Sequence, residues 1–265
     1  GDFTSFNGVA LNRIARLNVD GTLDTAFTPG TGADDIIYAV AIQADGKILI
    51  GGDFLNYNGT GINRIARLDD DGTIDAGFTP GSAANNTVRA IVQQADLKIV
   101  IGGDFTSYNG TGINRIARLV VAGTLDGTFT PGTGANGTVY DIKLSVTGRI
   151  LIAGNFTSYN GTTRNRICRI GFNGVLELPL FTGLGANGII YHMEVNPVTA
   201  EILICGDFTT YQDPHGGGFV ISRNRICKID SYGRALATFN PGTGANKNIK
   251  KLKSQADGRI VIAGN

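Results

Sequence analysis

The feature that most constrains this chain is its own repetition. Gly-Asp-Phe, or Gly-Asn-Phe in one copy, starts at Gly1, Gly52, Gly103, Gly154 and Gly206, and Gly264-Asn265 opens a sixth; the spacings are 51, 51, 51, 52 and 58 residues. Asn-Arg-Ile recurs at Asn12, Asn63, Asn114, Asn165 and Asn224, and Phe-Thr-Pro-Gly or a variant follows at Phe27, Phe78, Phe129, Phe181 and Phe239. Such a period marks one supersecondary unit copied in tandem, whose apolar faces can be buried only against its neighbours.

Each copy reads as strands separated by turns. In the copy after the first Phe-Thr-Pro-Gly, the runs Ile37 to Gln43, Lys47 to Phe54, Asn63 to Asp69 and Thr73 to Phe78 read as the four strands. Asp45-Gly46 and Asp71-Gly72 stand between them and supply the positive φ that tight turns need. No window carries a capped helical period. The 39 glycines and the 17% of charged residues suit short strands and tight turns, and 42% apolar content is enough for a core.

A lone four-stranded antiparallel meander cannot cover both its faces, so the expected fold is all-β, a five-bladed β-propeller. A parallel β-helix, the main rival, has much shorter rungs. Residues 1–265 are read as one domain of five repeats starting near 1, 52, 103, 154 and 206. Closure is expected from pairing of Asn248 to Gln255 and Arg259 to Gly264 with Asn12 to Asn18 and Thr22 to Phe27, so that both termini build one blade. Opening inside a repeat suggests a segment of a longer chain.

Composition also narrows the partners. The net charge is +1, from 23 basic and 22 acidic residues, which gives no global field for nucleic acid or anionic lipid. No apolar run reaches membrane-spanning length and no signal-peptide pattern is present. Cys168, Cys205 and Cys227 match neither a zinc site nor a disulfide framework and read as small buried residues. One disulfide, Cys205 with Cys227, stays open as an alternative.

The order strand, Asp-Gly, Lys-Ile-Leu-Ile-Gly-Gly-Asp-Phe, Asn-Arg-Ile-Ala-Arg-Leu, Asp-Gly-Thr resembles the delta-60 type of bacterial propeller repeat, a family without an assigned activity, and more distantly NHL repeats. The resemblance implies the propeller fold and an extracellular or virion-associated setting, because such repeats sit in large secreted, surface or phage structural proteins.

Most recurring polar residues read as scaffold. Asp2, Asp53, Asp104 and Asp207 recur with Arg13, Arg64, Arg115 and Arg225, as strand-to-strand pairs would; Asn155 opposite Arg166 breaks the pattern. The Asp-Gly-Thr stretches lack the continuation of a calcium loop, and Asn58-Gly59-Thr60, Asn109-Gly110-Thr111 and Asn160-Gly161-Thr162 match glycosylation acceptors. One recurring loop has a sharper reading. Phe6, Tyr57, Tyr108, Tyr159 and Tyr211 each precede an amide, at Asn58, Asn109 and Asn160 in three copies, and an aromatic face beside an amide suits a sugar. The competing reading is that these rings plug gaps between blades.

Two places differ between copies. On the first strand, Ala39 and Ala41 correspond to Ala90 and Val92, then to Asp141 and Lys143, His192 and Glu194, and Lys251 and Lys253, which alternation projects to one face. That cluster reads either as interblade salt bridges, such as Lys143 with Glu194 or Glu194 with Lys253, or as an acid, base and cation. The other is an insertion of about seven residues between Asp207 and Asn224, with His215, Phe219 and Arg223 as contact residues.

The expected function is a non-catalytic module recognising a glycan or surface protein, joined to other domains of its polypeptide or assembly, with no cofactor, no metal, no nucleic acid and no membrane insertion. The alternatives are a passive spacer of an extracellular or phage tail protein and a propeller enzyme using the inner cluster. Since no nucleophile, metal set or cofactor fingerprint is present, the enzyme is the weakest of the three.

Overall fold

The computed structural model describes residues 1–178, 185–213 and 220–265, and among them every regular element is a strand. No helix is long and apolar enough to cross a membrane. Two compact units divide the chain, Gly1–Asp126 and Gly127–Asn265.

The first unit carries β1 (Ser5–Phe6), β2 (Val9–Ala10), β3 (Ile37–Ile42), β4 (Ile48–Gly52), β5 (Asn56–Tyr57), β6 (Thr60–Gly61), β7 (Ile65–Leu68), β8 (Val88–Gln93), β9 (Ile99–Gly103), β10 (Ser107–Tyr108), β11 (Thr111–Gly112) and β12 (Ile116–Leu119). The second carries β13 (Val139–Leu144), β14 (Ile150–Gly154), β15 (Ser158–Tyr159), β16 (Thr162–Thr163), β17 (Ile167–Ile170), β18 (Gly185–Ala186), β19 (Ile190–Val195), β20 (Ile202–Gly206), β21 (Thr210–Gln212), β22 (Val220–Ser222), β23 (Ile226–Ile229), β24 (Ile249–Ser254) and β25 (Ile260–Gly264).

The repeat is a three-stranded antiparallel sheet with a small hairpin hung between its second and third strands. The sheets are β3-β4-β7 and β8-β9-β12 in the first unit and β13-β14-β17 and β19-β20-β23 in the second, where β24-β25 forms a two-stranded ladder. The expected fourth strand is reduced to a single bridge, Leu68↔Ile74 in one copy and Leu119↔Leu125 in the next. After that bridge the chain leaves its own sheet, and Pro80 or Pro131 has no amide to donate to a ladder. In the second unit β25 pairs with β24, and in the first Leu17 bridges Leu23.

The core lies between consecutive sheets. Leu49 and Ile65 face forward to meet Val88, Ile99, Ile101, Ala117 and Leu119, while Ile48, Ile50, Ala66 and Leu68 face back to Phe27, Ile37 and Tyr57. A strand covered on both faces has no polar side, which is why Ile-Leu-Ile runs unbroken there. Full burial of each such side chain stabilises by about 1.5–3 kcal/mol.

Neighbouring repeats are joined by the linker that follows each bridge. The Phe78 ring lies so close to Gly123, in the tight turn of the next repeat, that a Cβ there would come within 2.8 Å of it, and Gly123 has φ +91°. Thr79 N–H then donates to Ala122 O at 2.7 Å. Farther on, Asn109 Oδ1 accepts from Ser82 N–H at 3.2 Å, Ala84 bridges Tyr108, and Asn85 Oδ1 accepts from the amides of Thr106 and Ser107. Phe27 repeats this packing on Gly72, and Phe129 on Gly174.

A buried arginine tightens the same seam. Arg67, 7% exposed, donates from Nε to Asp75 Oδ2 at 2.5 Å and from Nη1 to Val121 O in the next repeat at 2.6 Å. Lys47 Nζ adds a 3.0 Å contact to Asp75. Burial alone would raise the Asp75 pKa, but these cations and the Gly77 amide outweigh it and hold it near about 2. In the second unit Arg169 spans from Glu177 to Ser231 O, whereas the last full copy replaces Asp by Leu236 and pairs Lys228 with Glu201 at 3.4 Å. There the carboxylate has moved to a neighbouring strand and the ion pair is kept.

Arg67→Ala is expected to cost about 3 kcal/mol, because it leaves the buried Asp75 carboxylate with one cation, Lys47, instead of two and removes the bond to Val121 O across the seam. Tyr108→Phe, which strands the buried Gly123 carbonyl now accepting from the phenol at 2.7 Å, should cost about 1–2 kcal/mol. Urea midpoints at constant slope check both.

Candidate functional site

The recurring loop tyrosines belong to the core. Tyr57, Tyr108 and Tyr159 are wholly buried and Tyr211 is 1% exposed. Their hydroxyls donate to Gly72 O, Gly123 O, Gly174 O and Gly233 O at 2.6–2.9 Å, and burial pushes the phenol pKa values up. Phe6 is half-buried. Asn58 and Asn160, like Asn109, accept from linker amides, at Thr31 and Thr133. Asn-Gly at 58–59, 109–110 and 160–161 adopts positive φ at both positions, the backbone of a two-residue hairpin turn. The expectation that Tyr57, Tyr108, Tyr159 and Tyr211 stack on a sugar is therefore corrected, since these four rings have no open face, while Phe6 keeps part of its surface exposed.

The Asp and Arg expected to pair do so at Asp2–Arg13, Asp53–Arg64 and Asp207–Arg225, 3.2–3.4 Å apart. Each such arginine takes a positive φ, 63° to 70° across the five copies, and Nη1 of Arg64, Arg115, Arg166 and Arg225 donates to the main chain of the preceding strand end. Asp104 instead meets Arg89 at 2.6 Å, and Arg166 finds Asn155 Oδ1 at 2.6 Å.

His215 and Phe219 of the insertion lie outside the described residues. Arg223, at its end, donates to Ser222 O at 2.9 Å and sits beside the buried Cys227 thiol. The cysteines are free and buried. Cys205 and Cys227 are on adjoining strands, but Cys227 stands opposite Ile204, one step out of register for a bridge. A coupled exchange escaped the sequence reading: where Leu11, Ile62 and Ile113 stand over Ala15, Ala66 and Ala117, the two later copies carry Arg164 over Cys168 and Arg223 over Cys227.

The first-strand cluster forms two groups in the second unit. Asp141, buried on β13, accepts from Lys143 Nζ at 2.8 Å, from the Ile142 amide at 3.0 Å and across to β19 from the Met193 amide at 2.7 Å. His192 Nε2 is 3.9 Å from its Oδ2, and His192 Nδ1 is buried without a hydrogen-bond partner among the described residues. Burial, helped by Lys143 and Lys251 against Asp141 and Glu194, lowers the His192 pKa to about 4, so the ring is neutral. Glu194 repeats the strand-crossing device from β19 to β24, accepting from the Ser254 amide at 2.6 Å and from Lys253. Burial works to raise its pKa, and these donors outweigh it and lower it. Lys143 pairs with Asp141, not Glu194, while Glu194 with Lys253 is as expected. Beside Glu194 and Lys253, a cleft of about 440 Å³ continues to Val198, Glu201 and Lys228.

A further set of first-strand residues was missed. Each first strand carries a bulge, where the register slips between Ile37 and Ala39, Val88 and Ala90, Val139 and Asp141, Ile190 and His192, and Ile249 and Lys251. The extra residues are Tyr38, Arg89, Tyr140, Tyr191 and Lys250. In the first unit the Arg89 guanidinium lies 4.8 Å from the Tyr38 ring centre. In the second, Tyr140 and Tyr191 meet edge to face at 5.3 Å and Lys250 Nζ stands 3.4 Å over Tyr191. The signal lay in the sequence as an aromatic or basic residue at one repeat position.

Three-stranded antiparallel sheets in tandem, packed face to face within each unit, define a β-propeller repeat protein. Residues 1–27, 43–78, 94–129 and 147–177 match the family described as Domain of unknown function (DUF5122) beta-propeller. No curated protein matches the chain. Over 91% of its length it is similar to the extracellular domain of BT4673 from B. thetaiotaomicron, named a one component system, at TM-score 0.54 and 17% identity. A second structure of that domain, named a hybrid two component system, gives 0.52 and 15% over 94%. The chain spans only 27% and 30% of those two chains. XC5397 from Xanthomonas campestris, a gluconolactonase, is similar over 95% of this chain and 75% of its own at TM-score 0.49 and 13% identity, too distant to bear on activity. At these identities the likeness is one of fold.

His192 gives this site a pH signature. Unfolded, it titrates near 6.5, and folded near about 4. Between those values only the unfolded chain takes up the proton, so stability should fall as pH drops from 6.5 to 4, by on the order of 3 kcal/mol. His192→Gln should flatten that part of a stability-against-pH curve measured by urea unfolding.

Proposed function

We propose that this chain is a non-catalytic recognition module that docks a glycan or protein, in an extracellular setting, as part of a larger polypeptide. The observation that carries the reading is where charge escapes the repeat. Recurring polar residues are committed to seams and turns, whereas Lys143, Glu194, Lys251 and Lys253 stand on first strands where the first unit has Ala or Val, next to the bulge row of Tyr140, Tyr191 and Lys250. The carboxylates of Asp141 and Glu194 each hold the amide of the next strand, which supports binding over acid–base chemistry. The extracellular setting rests on the similarity to BT4673 domains. Virion association and the delta-60 kinship, with its more distant NHL likeness, rest on the motif order alone.

The same reading takes five repeats as five blades, with residues 12–18 and 22–27 completing the blade begun by β24 and β25. The free side of β25, where Val261 and Ile262 are 55% and 47% exposed, supports it. A passive spacer is the second reading, favoured by the burial of the loop tyrosines.

A glycan array and a surface-protein panel probed with the purified chain should return a ligand. Silence on both favours the spacer, and turnover of any bound sugar contradicts the non-catalytic reading.

A further inference from the structure

Resting on that reading, we propose that Tyr191, Lys250 and Lys251 form a subsite for a carboxylate-bearing saccharide on the face of β19 and β24. Bulges re-aim side chains, and two consecutive ones place unlike partners side by side here. Lys250, the extra residue of β24, lies over the ring of Tyr191, the extra residue of β19. Tyr140 from β13 extends the row at 5.3 Å. Both rings are half-buried, each showing part of its surface to solvent.

The charges on this face do not cancel. Lys143 is held by Asp141 and Lys253 by Glu194. Lys250 meets an aromatic ring, and Lys251, exposed, has no ion-pair partner among the described residues. His192 beside them is neutral, so two ammonium groups adjacent in sequence stay uncompensated. An acidic sugar satisfies both features, its carboxylate taking charge-assisted hydrogen bonds from the lysines and its C–H face lying against the tyrosines.

The first unit serves as an internal control. Its corresponding bulge residues, Tyr38 and Arg89, also stack, but Asp104 neutralises Arg89 at 2.6 Å. Ala39 and Ala90 stand where Lys251 stands. The aromatic-cation row is thus common to both units, and the excess positive charge belongs to the second.

The test is titration calorimetry of the whole chain with tri-galacturonate against neutral galactotriose, at low and at physiological salt. Tri-galacturonate is expected to bind, more weakly as salt rises, and galactotriose at least tenfold more weakly. Lys250→Gln and Lys251→Gln should each lower tri-galacturonate affinity about tenfold, and Tyr191→Ala should abolish it, with circular dichroism and melting temperature confirming the fold. Lys251→Gln, on an exposed side chain, keeps the test open if Tyr191→Ala fails to fold. Equal binding of the neutral sugar, or affinity unchanged in both lysine variants, overturns the subsite. If neutral glycans or a protein bind regardless of these variants, recognition stands without it; if no ligand of any class binds, both fall.

Discussion

Everything in this molecule depends on a linker that leaves one sheet to finish the next. A three-stranded sheet from this sequence has two apolar faces and cannot shield either alone. The Phe-Thr-Pro-Gly segment solves this by crossing over: Phe78 packs on Gly123, Thr79 reaches the Ala122 carbonyl, and Ser82 is caught by Asn109. Tyr108 holds the same turn from inside, through its bond to Gly123 O. Each repeat thereby carries part of its neighbour's hydrogen bonding, and the sheets cannot form independently.

This division of labour explains why recurrence is a poor guide to function here. Glycine at the turn is required by a positive φ and by the ring pressed against it, and asparagine at the hairpin by the amide it must accept from. Arg67 and Asp75 recur because a seam needs a cation that reaches across it. What the scaffold leaves undecided is the first strand, where alanine in one unit becomes Asp141, His192 and Lys251 in the other. Even there part of the variation is structural, since Asp141 and Glu194 each bind the amide of the following strand.

The repeat, its first three strands and its Asp-Gly turns were legible in the sequence, because period and turn chemistry act locally. The fourth strand was not. Residues 73–78 have a strand's composition, but they make one bridge, turn back on Asp75, and from Thr79 onward the chain bonds to the neighbouring repeat, and a sequence does not say which sheet a segment serves. The loop tyrosines looked like ligand contacts because aromatic beside amide suits a sugar, and only the fold shows that the rings face inward and that the amide oxygens are taken up by linker N–H groups. The bulge residues were missed because counting every second position assumes an unbroken ladder. Tyr38, Arg89, Tyr140, Tyr191 and Lys250 each occupy the one position where that assumption fails.

Native-state hydrogen exchange on the Phe78→Ala variant tests the interdependence of neighbouring repeats most directly. If the linker is shared structure, amides of β4, on one side of the seam, and of β9, on the other, should lose protection together and by a similar free energy. Loss confined to β4, with β9 exchanging as in the parent chain, would contradict the account and leave each sheet standing by its own contacts.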